Sequence, residues 1–141
     1  MAATVKYSEV EVGTEIPAVS YDVRRLNLVM YAGASGDFNP IHWDEHFAKS
    51  VGLPDVIAHG MFTMAQGGRF VTDWVGDPGA VLDYGVRFSG MVPVAHDSGN
   101  TLVISGVVEE KLDDNKVVVG LTARAADQKV LSQAKAVVRL A

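Results

Sequence analysis

Asp37, Asn39 and His42 stand together in GDFNPIH, a short run of turn-forming residues at Gly36–His42. A carboxylate, an amide and an imidazole this close in the chain can act on one substrate atom once the loop turns them to one side. Asn39-Pro40, between the two ionisable groups, favours such a bend. Imidazole has the side-chain pKa nearest neutrality, so His42 gives and takes protons at little cost. A carboxylate beside it can hold a water or act as the second proton carrier. A second segment, AHGMF at Ala58–Phe62, opens an apolar helical pattern. Gly60 stands where that helix begins, which leaves its N–H unpaired at the positive end of the helix dipole. Such a donor suits a carbonyl oxygen that gains negative charge. Moving water across a double bond conjugated to a thioester needs these parts: water activated at Cβ, a proton exchanged at Cα, and charge held on the carbonyl oxygen. A structural turn with an N-cap Asp, a core His and a helix-start Gly would use the same residues.

The elements that must hold these residues can be read along the chain. TEIPAVSY at Thr14–Tyr21 is short and β-like, and Pro17 confines it to an edge or a strand start. Asp22 is placed to cap a helix running to Ala32, with Leu26, Val29 and Met30 on one face. AGASGDFNP breaks that helix, and a short helix over Asp44–Val51 follows, closed by Gly52. The longest helical pattern runs from Gly60 to Val75. Met61, Met64, Ala65, Gly68, Val71 and Val75 share one face, and Phe62, Phe70 and Trp74 widen the apolar surface. A helix this apolar is expected to be buried along most of its girth. Gly67-Gly68 at its middle each cost about 1 kcal/mol relative to Ala, which the close approach of a ligand chain or of another backbone would offset. Met61, Met64, Gly67 and Gly68 are therefore candidate lining for the path of a ligand chain.

After Ala80 the chain reads as β-structure: AVLDYGVRFSG, MVPV, TLVISGVVEEKL, a turn at Asp113-Asp114-Asn115, KVVVGLTARAA and KVLSQAKAVVRLA. One long apolar helix followed by long antiparallel strands gives an α+β fold. A curved sheet wrapped round a central helix is the simplest way to bury it, which is the hotdog fold.

Composition narrows the function. The 141 residues fit one domain spanning 1–141, and 48% apolar content is ample for a core. The net charge of −5 opposes nucleic-acid or membrane-surface binding, which want clustered Lys/Arg. With no cysteine there is no disulfide, thiolate metal site or cysteine nucleophile. MAATVKYSEVEVG lacks an apolar signal core and no run reaches membrane-spanning length, so a cytoplasmic protein is expected. His42 and His46 have the spacing of a metal pair, but no third ligand is indicated nearby, so no metal is expected. No phosphate-loop or dinucleotide glycine pattern occurs, so no cofactor is expected either. His59 reads as a structural histidine at the helix start, and His96 as a solvated loop residue. Arg24, Arg25, Lys49, Arg69 and Arg87 read as solvated surface cations that an anionic ligand or acidic partner could meet.

YAGASGDFNPIHWD together with AHGMF resembles the signature of the MaoC-like, (R)-specific enoyl-thioester hydratases and dehydratases, and the similarity extends over nearly the whole chain. VGDPGAVLDYGVRF at Val75–Phe88 is similar in particular to the catalytic beta-type subunits of actinobacterial (3R)-hydroxyacyl-ACP dehydratases. The resemblance implies a hydro-lyase of fatty-acid elongation or oxidation. It would interconvert (3R)-3-hydroxyacyl and trans-2-enoyl thioesters of CoA or acyl carrier protein. It also implies Asp37 and His42 as catalytic residues, the Gly60 N–H as oxyanion donor and Asn39 as their support. The implied assembly is a homodimer, or a heterodimer with a paralogous hotdog subunit, with the acyl tunnel near the interface. Some homodimeric members carry a Ser where this chain has Gly68, so the resemblance leaves acyl length and detailed geometry open. Two rivals share the fold: an acyl-thioesterase, and a non-catalytic subunit that shapes a partner's tunnel. The intact Asp37/His42 pair counts against the second.

Overall fold

The computed structural model describes residues 2–141. Five antiparallel strands form one sheet in the order β1-β3-β4-β5-β2, from β1 (Glu15–Val23), β2 (Val81–Phe88), β3 (Asn100–Leu112), β4 (Lys116–Ala125) and β5 (Gln128–Arg139). Three helices precede β2: α1 (Arg25–Ser35), α2 (Glu45–Ser50) and the long α3 (Gly60–Val75), which packs against the sheet. This is the hotdog arrangement that the sequence pattern predicts. The core is built from Val71 and Val75 of α3 and alternate strand residues such as Leu102, Ile104, Val117, Val119, Leu131 and Val138. No helix among the described residues is long and apolar enough to cross a membrane.

Local signals set most boundaries. Pro17 lies in edge strand β1, within a register irregularity between Ile16 and Val19 where a missing N–H costs nothing. Asp44 caps α2 by accepting the Phe47 N–H at 3.0 Å. Gly76, at φ +78°, ends α3 in the left-handed conformation that a Cβ disfavours. The β3–β4 turn places Asp114 and Asn115 at positive φ, as a tight hairpin requires.

Other expectations need correction. Asp22 does not cap α1; it stays in β1 opposite Thr101, and Asn27 does the capping by accepting the Arg24 N–H at 2.7 Å. Leu26, Val29 and Met30 are exposed, and α1 buries Leu28 and Ala32 instead. With apolar residues on both sides of α1, periodicity alone could not select the core face. MVPV is not a strand: only Pro93 forms a bridge there, to Ile57. Nor is α3 buried along most of its girth in the single chain. The sheet covers the Phe62, Thr63, Gly67, Phe70 and Val71 side, while Met61, Ala65, Arg69 and Asp73 form an exposed stripe.

The glycine pair at the middle of α3 divides in two. The Tyr84 hydroxyl of β2 reaches over Gly67 to donate to the Met64 carbonyl at 2.8 Å and occupies the place of a Gly67 Cβ. Burial pushes the Tyr84 phenol up to about 12, so it stays a donor at physiological pH. A Cβ on Gly68 would make only ordinary contact, 3.5 Å from the Tyr84 ring. Gly67→Ala should therefore destabilise the protein by about 1–3 kcal/mol through overpacking. Gly68→Ala should stabilise it by about 1 kcal/mol through helix propensity. Denaturant midpoints decide the matter, and equal shifts for the two variants would contradict the packing described.

Candidate active site

The loop between α1 and α2 is fixed mostly by its own short polar residues. Ser35 Oγ accepts the Asp37 N–H at 3.2 Å. Asp37 Oδ1 accepts the Asn39 N–H at 3.2 Å, and Asn39 Oδ1 accepts the Ile41 N–H at 3.2 Å. These side-chain-to-backbone bonds are the local turns that Asp and Asn favour. They wind Pro40–His42 into a single 3-10 turn. One oxygen of Asp37 is thereby held by the backbone, and the other, Oδ2, faces His42 Nε2 at 3.9 Å.

His42 is fixed from its far side. Its Nδ1 lies 2.6 Å from the carbonyl oxygen of Ile57, and the Ile57 N–H donates back to Ile41 O at 3.1 Å. A carbonyl only accepts, so Nδ1 carries the hydrogen and Nε2 presents a lone pair toward Asp37. Burial, the largest influence, lowers the His42 pKa from its ordinary value; the Ile57 carbonyl and Asp37 oppose this, and the neighbouring His59 adds to it. The imidazole is buried while Asp37 is half open to solvent. The resting state is thus a neutral base beside an accessible carboxylate.

The helix start lies one residue beyond His59. Its side chain makes no cap, and no acceptor for the Gly60 N–H is found among the described residues. Gly60 borders a cavity of about 170 Å³ lined also by Ile57, Thr63, Phe88, Met91 and Val130. The Phe88 ring lies where a Gly60 side chain would begin, 3.1 Å from an added Cβ. Asp37 and His42 do not line this cavity; the two parts meet at the His59–Gly60 junction. Met61 is exposed, and Met64, Gly67 and Gly68 lie further along α3, outside this lining.

The structure adds His59 to the residues that the sequence brings forward. Its ring stacks on His42, with centroids 3.6 Å apart and planes 22° from parallel, and its Nε2 donates to the Asp37 carbonyl at 3.0 Å. No spacing rule relates residues on a loop and on a later helix start, so this contact is not legible in the chain. Asp37, His42 and His59 each place one ligand atom within 4.8 Å of the others. Stacked rings, however, direct their in-plane lone pairs side by side rather than to a common point, so the trio does not converge as a metal site requires. His46 stays on α2, outside the trio.

The cations are largely committed within the chain. Arg25 pairs with Glu45 at 2.8 Å and with Asp55, and donates to Val94 O, tying α1 to α2 and to the segment leading into α3. Hydrogen bonds from Lys49 and Arg25 hold the Glu45 carboxyl down at about 2, so this clamp persists across physiological pH. Arg24 pairs with Asp22 and Arg69 with Asp73. Arg87 has no ion pair among the described residues.

A curved sheet over one long helix, with a loop Asp and His beside that helix's open start, defines a hotdog protein. The chain belongs to the MaoC-like domain family, whose model matches residues 8–129. Among solved structures it is similar to a MaoC-like dehydratase at 41% identity and a TM-score of 0.95, covering 99% of this chain and 44% of that one. It is also similar to the R-hydratase PhaJ1 from Pseudomonas aeruginosa, at 26% identity and a TM-score of 0.85, covering 99% and 89% of the two chains. A relative by sequence is the fatty acid synthase subunit beta of Saccharomyces cerevisiae, 42% identical over 64 residues, covering 44% of this chain. The chain matches only about 3% of the length of that subunit.

Proposed function

We propose that this protein is a hydro-lyase interconverting (3R)-3-hydroxyacyl thioesters and trans-2-enoyl thioesters carried on CoA or acyl carrier protein, within fatty-acid metabolism. The observation that carries the reading is the Asp37–His42 pair: a bare Nε2 and a free Oδ2 3.9 Å apart, each held from behind by backbone. That separation exceeds a direct hydrogen bond and lets one water oxygen reach both groups. In the hydration direction this water attacks Cβ as it gives a proton to the pair. The C=C electrons move toward Cα and the thioester oxygen, where the Gly60 N–H meets the charge. The pair then returns one proton to Cα, and dehydration runs the same path backward. One water reaches both groups, so the proton it gives up passes to the pair. Asn39 supports the pair by donating to Asp37.

The family, the R-hydratase neighbour and the dehydratase neighbour support the reaction class. Exposed Leu26, Val29 and Met30 form one apolar face of α1, which supports a dimer with a second copy or a paralogous hotdog subunit. Crotonyl-CoA and a long-chain enoyl-CoA, followed by loss of enoyl-thioester absorbance together with a thiol reagent, test the reading. Absorbance loss without thiol release is expected. Thiol release would assign thioester hydrolysis instead.

The lowered His42 pKa gives this activity a direction with pH. Hydration needs Nε2 unprotonated, so the acid limb of kcat/KM should fall below the ordinary imidazole value. Stability carries the same sign. The unfolded chain binds a proton that the buried imidazole refuses, so the contribution is present above the ordinary imidazole pKa and is lost as pH falls through the lowered one. A kcat/KM profile whose acid limb lies at or above the ordinary value would contradict His42 as the unprotonated group.

A further inference from the structure

We infer that His59 is a positioning residue for the reaction, its ring being the wedge that holds His42 and Asp37 in register. The inference rests on the hydro-lyase reading for its kinetic half only. Three constraints converge on this residue. Its ring stacks on His42 at 3.6 Å and packs against Tyr31 of α1 at 4.8 Å, so the His42 ring cannot move toward His59 without displacing it. Its Nε2 donates to the carbonyl of Asp37, bracing the backbone from which the carboxylate projects. Its own carbonyl accepts the Thr63 N–H at 3.2 Å, which sets the first turn of α3 and with it the direction of the Gly60 N–H.

The unused nitrogen points the same way. His59 is only 2% exposed, and its Nδ1 is buried without a hydrogen-bond partner. A core histidine serving packing alone would be replaced at no loss by an apolar ring, which leaves no orphaned acceptor. With Nε2–H committed to the Asp37 carbonyl, the ring stands against His42 as one of the influences, after burial, that hold the His42 pKa below its ordinary value. The groups that face His42 are Asp37 from the loop and His59 from the helix start, with the Tyr31 ring packed against His59. Removing His59 leaves Asp37 to favour the charged form.

His59→Phe keeps the stacking volume and deletes the N–H; His59→Gln keeps a donor in reach of the Asp37 carbonyl and deletes the ring. In His59→Phe, kcat on crotonyl-CoA should fall on the order of 10²-fold with KM little changed, as a small misplacement of reacting groups does. His59→Gln should recover part of that loss. Independently of any substrate, a proton NMR titration should show the His42 pKa rising in both variants relative to wild type. An unchanged kcat and an unchanged His42 titration in either folded variant would overturn the inference and leave His59 a packing residue. Should His59→Phe fail to fold, His59→Gln decides by the same two readings. If wild type itself hydrates no enoyl thioester, the hydro-lyase reading fails while the titration still decides whether His59 sets the state of His42.

Discussion

Replacing Asp37 by Asn, or His42 by Ala, should each lower kcat by roughly 10²–10⁴-fold with the fold intact, the usual range for a general acid–base group. Asp37→Asn keeps the shape of the side chain, and its amide oxygen can still accept the Asn39 N–H that orders the loop. It loses the negative charge and the proton affinity of Oδ2, the atom that faces His42. His42→Ala removes the base and opens a gap beneath His59, so thermal unfolding must be measured beside activity. The double variant should be little worse than the poorer single one, because the two groups share one water and one proton and act as a unit. Either single variant retaining activity within a few-fold of wild type, while folded, would return the pair to a structural role. Losses that multiply in the double variant would point to two independent functions instead.

What the chain discloses about itself follows from the range of the interactions involved. The bounds of α3 are legible because its start and stop are local: an apolar run opening at His59-Gly60 and a glycine at Gly76 in the left-handed region. The loop is legible for the same reason, since Ser35, Asp37 and Asn39 hydrogen-bond backbone within a few residues of themselves. The buried face of α1 is not. Leu26, Val29 and Met30 have a sound helical period, yet Leu28 and Ala32 are the residues that α1 buries. Long-range contacts are equally silent in the sequence. Tyr84 explains Gly67 from the far edge of the sheet, and Phe88 lies over Gly60 from the same strand. The His42–His59 stack joins two segments that no periodicity relates. Residue types announced an acid, a base and a helix start; the third dimension supplies what holds them still.

Gly60→Pro should remove the oxyanion donor at little structural cost and lower kcat by about 10²–10³-fold, the usual loss for one such donor. The reasoning rests on the helix start itself. Proline is favoured at the first helical position, where its missing N–H has no intrahelical partner to lose. It also requires the preceding residue to be extended, and His59 already sits at φ −57° and ψ 136°. The ring would press on Phe88, which is half exposed and can yield by the few tenths of an ångström required. Gly60→Ala is the matched control: it makes the same first contact with Phe88 and keeps the N–H. If the amide carries the developing charge, Pro should be far worse than Ala in kcat while both unfold near the wild-type midpoint. Equal losses in the two variants would mean that crowding by Phe88, not the donor, controls the rate. Wild-type activity in a folded Gly60→Pro protein would mean that the thioester oxygen is bound elsewhere, and the open start of α3 would then have no part in the chemistry.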